Sequence, residues 1–142
     1  DNPANSHLYI WYADELDGPW VQHAHNPVKI DRSNARPAGT PFFHEGALFR
    51  PAQDCSRTYG GAVKINRVTA LSESDFREEI VASIEPQSDS PFPDGIHHLS
   101  AFGDYTFIDG KRIMRDSRAK QRGLPAPGDP ETLAAALAKM TK

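Results

Sequence analysis

Apolar positions fall in short alternating runs broken by glycine and proline, not at the three-and-four spacing of an amphipathic helix. Residues 7–13 (HLYIWYA) are aromatic and β-branched and predict a strand, with Asp17-Gly18-Pro19 as the following turn. Residues 21–30 (VQHAHNPVKI) read as a loop, because Asn26-Pro27 interrupts any regular pattern. Two apolar runs flank His44-Glu45-Gly46 in TPFFHEGALFR and predict a hairpin. GGAVKINRVTAL alternates as a strand, with Val63, Ile65 and Val68 on one side and Lys64 and Asn66 on the other. DFREEIVASI suits helix or strand by composition; its place after three strands and its Ile80, Val81 and Ile84 favour strand.

Residues 35–86 therefore hold four strands within about 50 residues, the size and strand count of one β-propeller blade. HHLSAFGDYTFIDGKRI opens another unit: strand, Gly103-Asp104 turn, strand, Asp109-Gly110 turn. GLPAPGD is a breaker-rich linker, and DPETLAAALAKM predicts a short helix capped by Asp129, with Leu133, Leu137 and Met140 on one face. The expected organisation is a strand-rich unit over 1–115 with boundaries near 35 and 86, a linker over 116–128 and a helix over 129–142.

The chain's 142 residues suit about one domain. With 12 prolines and 10 glycines, long helices are disfavoured, and a net charge of −3 offers no global field for nucleic acid. No run approaches the roughly 18 apolar residues of a membrane span, and no leader-like stretch is expected. The basic stretch KRIMRDSRAKQR is an exception in charge, read as a solvated tail with a polyanion contact as the alternative. A single cysteine, Cys55, rules out an internal disulfide and leaves the compartment open.

Residues 12–31 and the run RPAGTPFFHEGALFRPAQDCSRTYGG resemble the propeller domain at the amino end of plant glucosamine inositolphosphorylceramide transferases and its bacterial relatives. The bacterial relatives sometimes carry it beside formyltransferase-like or glycosyltransferase domains. DGIHHLSAFGDYTFIDGKR is similar to that domain's closing segment, so the resemblance covers about residues 8–112. It implies an all-β fold: about two blades of a five-bladed, arabinanase-like propeller, matching only its carboxyl-terminal half, with a short carboxyl-terminal helix. A full propeller of that type needs roughly 250 to 300 residues. The acid and base of the related glycoside hydrolases are not recognisable here, so the resemblance implies a carbohydrate-binding or carbohydrate-processing segment that is not catalytic alone. The remaining blades, or a second copy, would complete it.

Within this frame Arg36, Arg50, Gln53, Asp54, Tyr59 and His97 are the candidate saccharide contacts. Arginine donors have fixed geometry, Asp54 can anchor a hydroxyl, and Tyr59 can stack on a sugar ring or pack between strands. An ion pair of Arg36 or Arg50 with Asp54, tying strands together, is the structural alternative. His97 corresponds to a histidine of the family's closing segment and is expected near the propeller axis. His23 and His25 share a face but supply only two of the three or four ligands a zinc site needs, so neither metal nor cofactor is expected. Cys55 reads as a buried, inert thiol. The acidic run containing Glu73, Asp75, Glu78 and Glu79 reads as a solvated face, and Asp54 with Glu79 is the only carboxylate pair to consider for glycosidase chemistry. The competing reading is an interaction module that self-associates through open strand edges and holds no sugar.

Overall fold

The computed structural model describes residues 2–114. Its amino-terminal part is a nested hairpin: β1 (His7–Leu8) pairs with β4 (Lys29–Ile30), and β2 (Trp11–Tyr12) pairs with β3 (Val21–Gln22), both antiparallel. The single strand expected over 7–13 is thus interrupted at Tyr9 and Ile10, and the expected loop over 21–30 contributes two strands. Asn26 is the physical reason. Its side chain accepts from the Ile10 amide at 2.9 Å, in place of a backbone partner, and donates at 2.7 Å to the Ile10 carbonyl, which also accepts from the His23 amide.

The main sheet is an antiparallel meander of β5 (Phe42–His44), β6 (Ala47–Asp54), β7 (Ala62–Leu71) and β8 (Phe76–Ile84), in that order. The expected hairpin is present. Glu45 and Gly46 both take positive φ, 48° and 76°, the sense that fits the twist of the flanking strands. Beyond Phe49, β5 no longer accompanies β6. The preceding segment takes its place: Pro37 bridges Ala52, the Ala38 amide donates to the Pro51 carbonyl, and the Gln53 amide donates to the Arg36 carbonyl at 2.7 Å. This substitution carries Arg36 to the carboxyl-terminal end of β6.

The β7–β8 register slips between Ile65 and Asn66 and again between Val68 and Ala70. The expected solvent-facing placement of Asn66 is overturned: it is fully buried, because Asn34 covers that face of β7. Its amide exchanges hydrogen bonds with Asn34 at 2.6 and 2.8 Å and donates to the Arg50 carbonyl at 3.1 Å, so the buried polar group is paired.

The remaining hairpin, β9 (Leu99–Phe102) and β10 (Tyr105–Ile108), turns at Gly103-Asp104 as expected. The core lies between this hairpin and the main sheet: Ala38, Val63 and Ile96 are buried, with Ile65, Ile84, Leu99 and Ile108 packed around them. Burial of side chains such as Val63 and Ile96 contributes roughly 1.5–3 kcal/mol each. The Leu99 amide donates to the Ala38 carbonyl at 2.7 Å and fastens the hairpin to the sheet.

The fold is all-β, with one four-stranded and three two-stranded sheets among the described residues. These sheets do not form a ring of equivalent blades. The linker expected over 116–128 and the helix over 129–142 lie outside the described residues. No helix among the described residues is long and apolar enough to cross a membrane.

Candidate functional site

The six candidate residues divide into two groups. Arg50 and Gln53 face the interior. The Arg50 guanidinium grips Glu78 through two nitrogens, Nε to Oε2 at 2.8 Å and Nη2 to Oε1 at 2.6 Å. Its remaining donors reach the Asn34 and Ala35 carbonyls at 2.8 and 3.2 Å. Lys29 adds a third charge, 2.8 Å from Glu78 Oε1. The expected partner of the arginines, Asp54, makes no ion pair with Arg36 or Arg50. The expected solvation of Glu78 is also overturned, since its side chain is 3% exposed. Alternation along β8 points Phe76 and Glu78 inward and Arg77 and Glu79 outward, and Arg50 supplies the counter-charge that makes burial tolerable. Gln53 donates to the Pro37 carbonyl at 3.3 Å and accepts a weak bond from the Cys55 thiol.

Arg36, Tyr59 and His97 come together at the carboxyl-terminal end of β6. The Arg36 guanidinium carbon sits 5.0 Å from the Tyr59 ring centroid, and the Tyr59 and His97 rings meet edge to face at 5.5 Å. Arg36 also donates to the Ala4 carbonyl at 2.8 Å and to Asn5 Oδ1 at 3.3 Å. Its Nε is buried without an acceptor among the described residues. Lys111, expected on a solvated tail, instead donates to Thr58 Oγ1 and to the Tyr59 carbonyl. Gly60, at φ +59°, lets the loop press against His97, whose Cγ would lie 3.3 Å from a Cβ built there.

The same loop walls a polar cleft of about 350 Å³ lined by Asp54, Ser56, Arg57, Thr58, Glu85 and Asp94 among others. Asp54 accepts from the Ser56 amide at 2.9 Å and its hydroxyl at 2.5 Å, with Lys64 3.6 Å away. Burial pushes the Asp54 pKa up, but the Ser56 hydrogen bonds and the Lys64 charge outweigh it and leave the carboxyl below its ordinary value. A depressed folded pKa contributes stability that is present above the unfolded value and lost as pH falls through the folded one. Asp54→Asn is therefore expected to cost about 1 kcal/mol at pH 7. In paired thermal melts the gap between variant and wild type should close as pH drops below the ordinary aspartate value near 3.8.

Other side chains considered for chemistry lie elsewhere. Asp54 is paired with Ala62 and Glu79 with Arg67 across β7, which sets them about 16 Å apart along the strand, too far for a glycosidase pair. His23 is buried and accepts from the His25 amide at 3.1 Å, while His25 Nδ1 meets the Ser74 carbonyl at 2.9 Å. No group of three potential metal ligands forms among the described residues. Cys55 is fully buried. The residue that sequence reasoning missed is Asp109. It was read only as half of a turn, yet it accepts from the His97 and His98 amides at 2.9 Å and meets the His97 ring.

The family described as glucosamine inositolphosphorylceramide transferase 1, N-terminal, matches residues 1–93. The glucosamine inositolphosphorylceramide transferase 1 of Oryza sativa subsp. japonica is 43% identical over 76 residues, which cover 52% of this chain and 10% of that protein. The protein of the same name from Arabidopsis thaliana is 34% identical over 84 residues, 57% of this chain and 11% of its own. The chain thus spans about a tenth of the length of these curated relatives. The expectation that only a carboxyl-terminal half is matched is corrected, because the match begins at residue 1 and is to a domain described as N-terminal. Arg36, Arg50, Gln53, Asp54 and Tyr59 lie inside the matched residues, and His97 lies beyond them. No solved structure matches the chain.

Proposed function

Since the chain belongs to the glucosamine inositolphosphorylceramide transferase 1 N-terminal family, we propose that it is a carbohydrate-related segment supplying one side of a saccharide or glycoconjugate site, and that it transfers and hydrolyses nothing alone. The observation that carries this reading is the convergence of Arg36, Tyr59 and His97 on the loop that also walls the Asp54 cleft. A half-exposed tyrosine offers a face to a sugar ring, and Arg36, Asp54 and His97 offer donors and acceptors to its hydroxyls. Arg50 and Gln53 take part as the support that holds this end of β6. The remaining blades of a propeller, supplied by a longer parent chain or by another copy, would close the site.

Glucosamine and myo-inositol 1-phosphate, chosen from the chemistry named in the relatives, are the first probes for a titration followed by NMR shifts. Tyr59→Ala should weaken glucosamine binding by about tenfold while leaving the melting temperature within about 2 °C, since the residue is half-exposed and its ring contacts are with Arg36 and His97 at the surface. Shifts that stay silent for every saccharide tried would sink the reading. The rival is an interaction module joined through strand edges. It is favoured by Ile80 and Val81, which stand exposed on edge strand β8. That rival would give silent titrations together with a mass of two chains in light scattering.

A further inference from the structure

Asp109 touches His97 in a way that selects between the two neutral forms of the imidazole. Asp109 Oδ1 accepts from the backbone amides of His97 and His98, both at 2.9 Å. Those two bonds fix the carboxylate plane, and the second oxygen, Oδ2, is then set against His97 Nδ1. A carboxylate only accepts hydrogen bonds, so the nitrogen facing it carries the proton. The opposite ring nitrogen, Nε2, is left with a lone pair and has no hydrogen-bond partner among the described residues. The His97 side chain is 41% exposed and stands beside Tyr59, whose ring is in turn covered by Arg36.

From this geometry we infer that Asp109 is a positioning residue that locks His97 as the Nδ1–H tautomer and so presents Nε2 as a hydrogen-bond acceptor to a ligand hydroxyl. The assignment rests on the saccharide reading for the identity of the ligand, but not for the tautomer. It gives the site a division of labour. Arg36 and Lys111 can only donate, whereas a sugar hydroxyl both donates and accepts, so a neutral acceptor close to Arg36 supplies the complementary half of the pairing. Gly60 is part of the same device. Without a side chain there, the loop bearing Tyr59 can lie directly against the His97 stem and prevent the ring from swinging away from Asp109.

The test is Asp109→Asn in the full chain, compared with wild type at pH 8 by long-range nitrogen–proton NMR of the histidine rings. The asparagine oxygen can still accept from both backbone amides, so the fold is retained, while its NH2 group faces Nδ1 where an acceptor stood. Wild type should show Nδ1 protonated, and the variant should show the proton moved to Nε2. With glucosamine as probe, the variant should bind about tenfold more weakly, because a donor now faces the hydroxyl's own proton. His97→Ala, which leaves both backbone bonds to Asp109 intact, should lose binding to a similar degree. A wild-type ring protonated at Nε2, or a ring whose tautomer ignores the substitution, overturns the inference. A tautomer that inverts while glucosamine binding stays constant overturns the acceptor role. Absence of saccharide binding by wild type with the tautomer inverting on schedule defeats the saccharide reading and leaves the Asp109–His97 assignment standing.

Discussion

Arg50→Ala is expected to lower stability by about 3 kcal/mol or more, visible as a fall of roughly 10–20 °C in the melting temperature. The Arg50 side chain is 8% exposed and that of Glu78 3% exposed, so removal of the cation leaves a buried anion with Lys29 alone. The Asn34 and Ala35 carbonyls lose their donors in the same step. Arg50→Met combined with Glu78→Leu should recover most of the loss, because an apolar pair of similar volume has no charge to solvate. Lys29 is partly exposed and can turn to solvent. A single alanine variant that melts with wild type would show instead that the guanidinium is free to serve a ligand. The experiment therefore separates strut from contact at one of the two buried candidate site residues.

Gly39→Ala is expected to be nearly as damaging, at about 3 kcal/mol, for a steric reason. Gly39 adopts φ +144°, and a Cβ there would strike the Leu99 carbonyl, lying 2.9 Å from its carbon and closer still to its oxygen. Backbone cannot yield as a flexible side chain does, so the β9–β10 hairpin must move away. The Leu99-to-Ala38 hydrogen bond would break and the contacts of Leu99 and Ile108 with the core would loosen. Gly103→Ala is the control: φ is also positive, at +57°, but no atom lies within 4 Å of the new carbon, so about 1 kcal/mol is expected. Hydrogen exchange should quicken in the β9 and β10 amides of the first variant far more than in the second. Equal effects would mean that the hairpin's seating on Ala38 is unimportant.

What could be read from the sequence was what neighbouring residues decide among themselves. The Glu45-Gly46 turn, the Gly103-Asp104 turn and the four-strand run over 35–86 follow from local backbone preference and period-two alternation. The failures all involve partners distant in sequence. Asn26 reaches back 16 residues to stand in for a strand, Glu78 is buried because Arg50 lies 28 residues earlier, and Asn66 is buried because Asn34, 32 residues earlier, covers its face of the strand. The candidate site was half legible. Arg36, Tyr59 and His97 do converge, but what joins Arg36 to them is the replacement of β5 by residues 36–38 along β6, a topological event with no local signature. Asp109 was hidden by the same logic, since Asp-Gly is an ordinary turn until its carboxylate is seen beneath a histidine 12 residues away.

Cys55 occupies the first position after β6, where its amide donates to the Arg32 carbonyl at 3.0 Å and its carbonyl accepts from Arg32 Nε at 2.8 Å. Its sulfur is sealed from solvent and is the only thiol in the chain. An alkylating reagent can reach that atom only when the structure around the end of β6 opens, whether by release of the 55–61 loop or by wider unfolding. The molecule thus contains a built-in clock: one covalent mark per opening event, placed at the root of the loop that carries Tyr59. A ligand that clamps this loop slows the clock, and one that binds elsewhere leaves it running at the same rate.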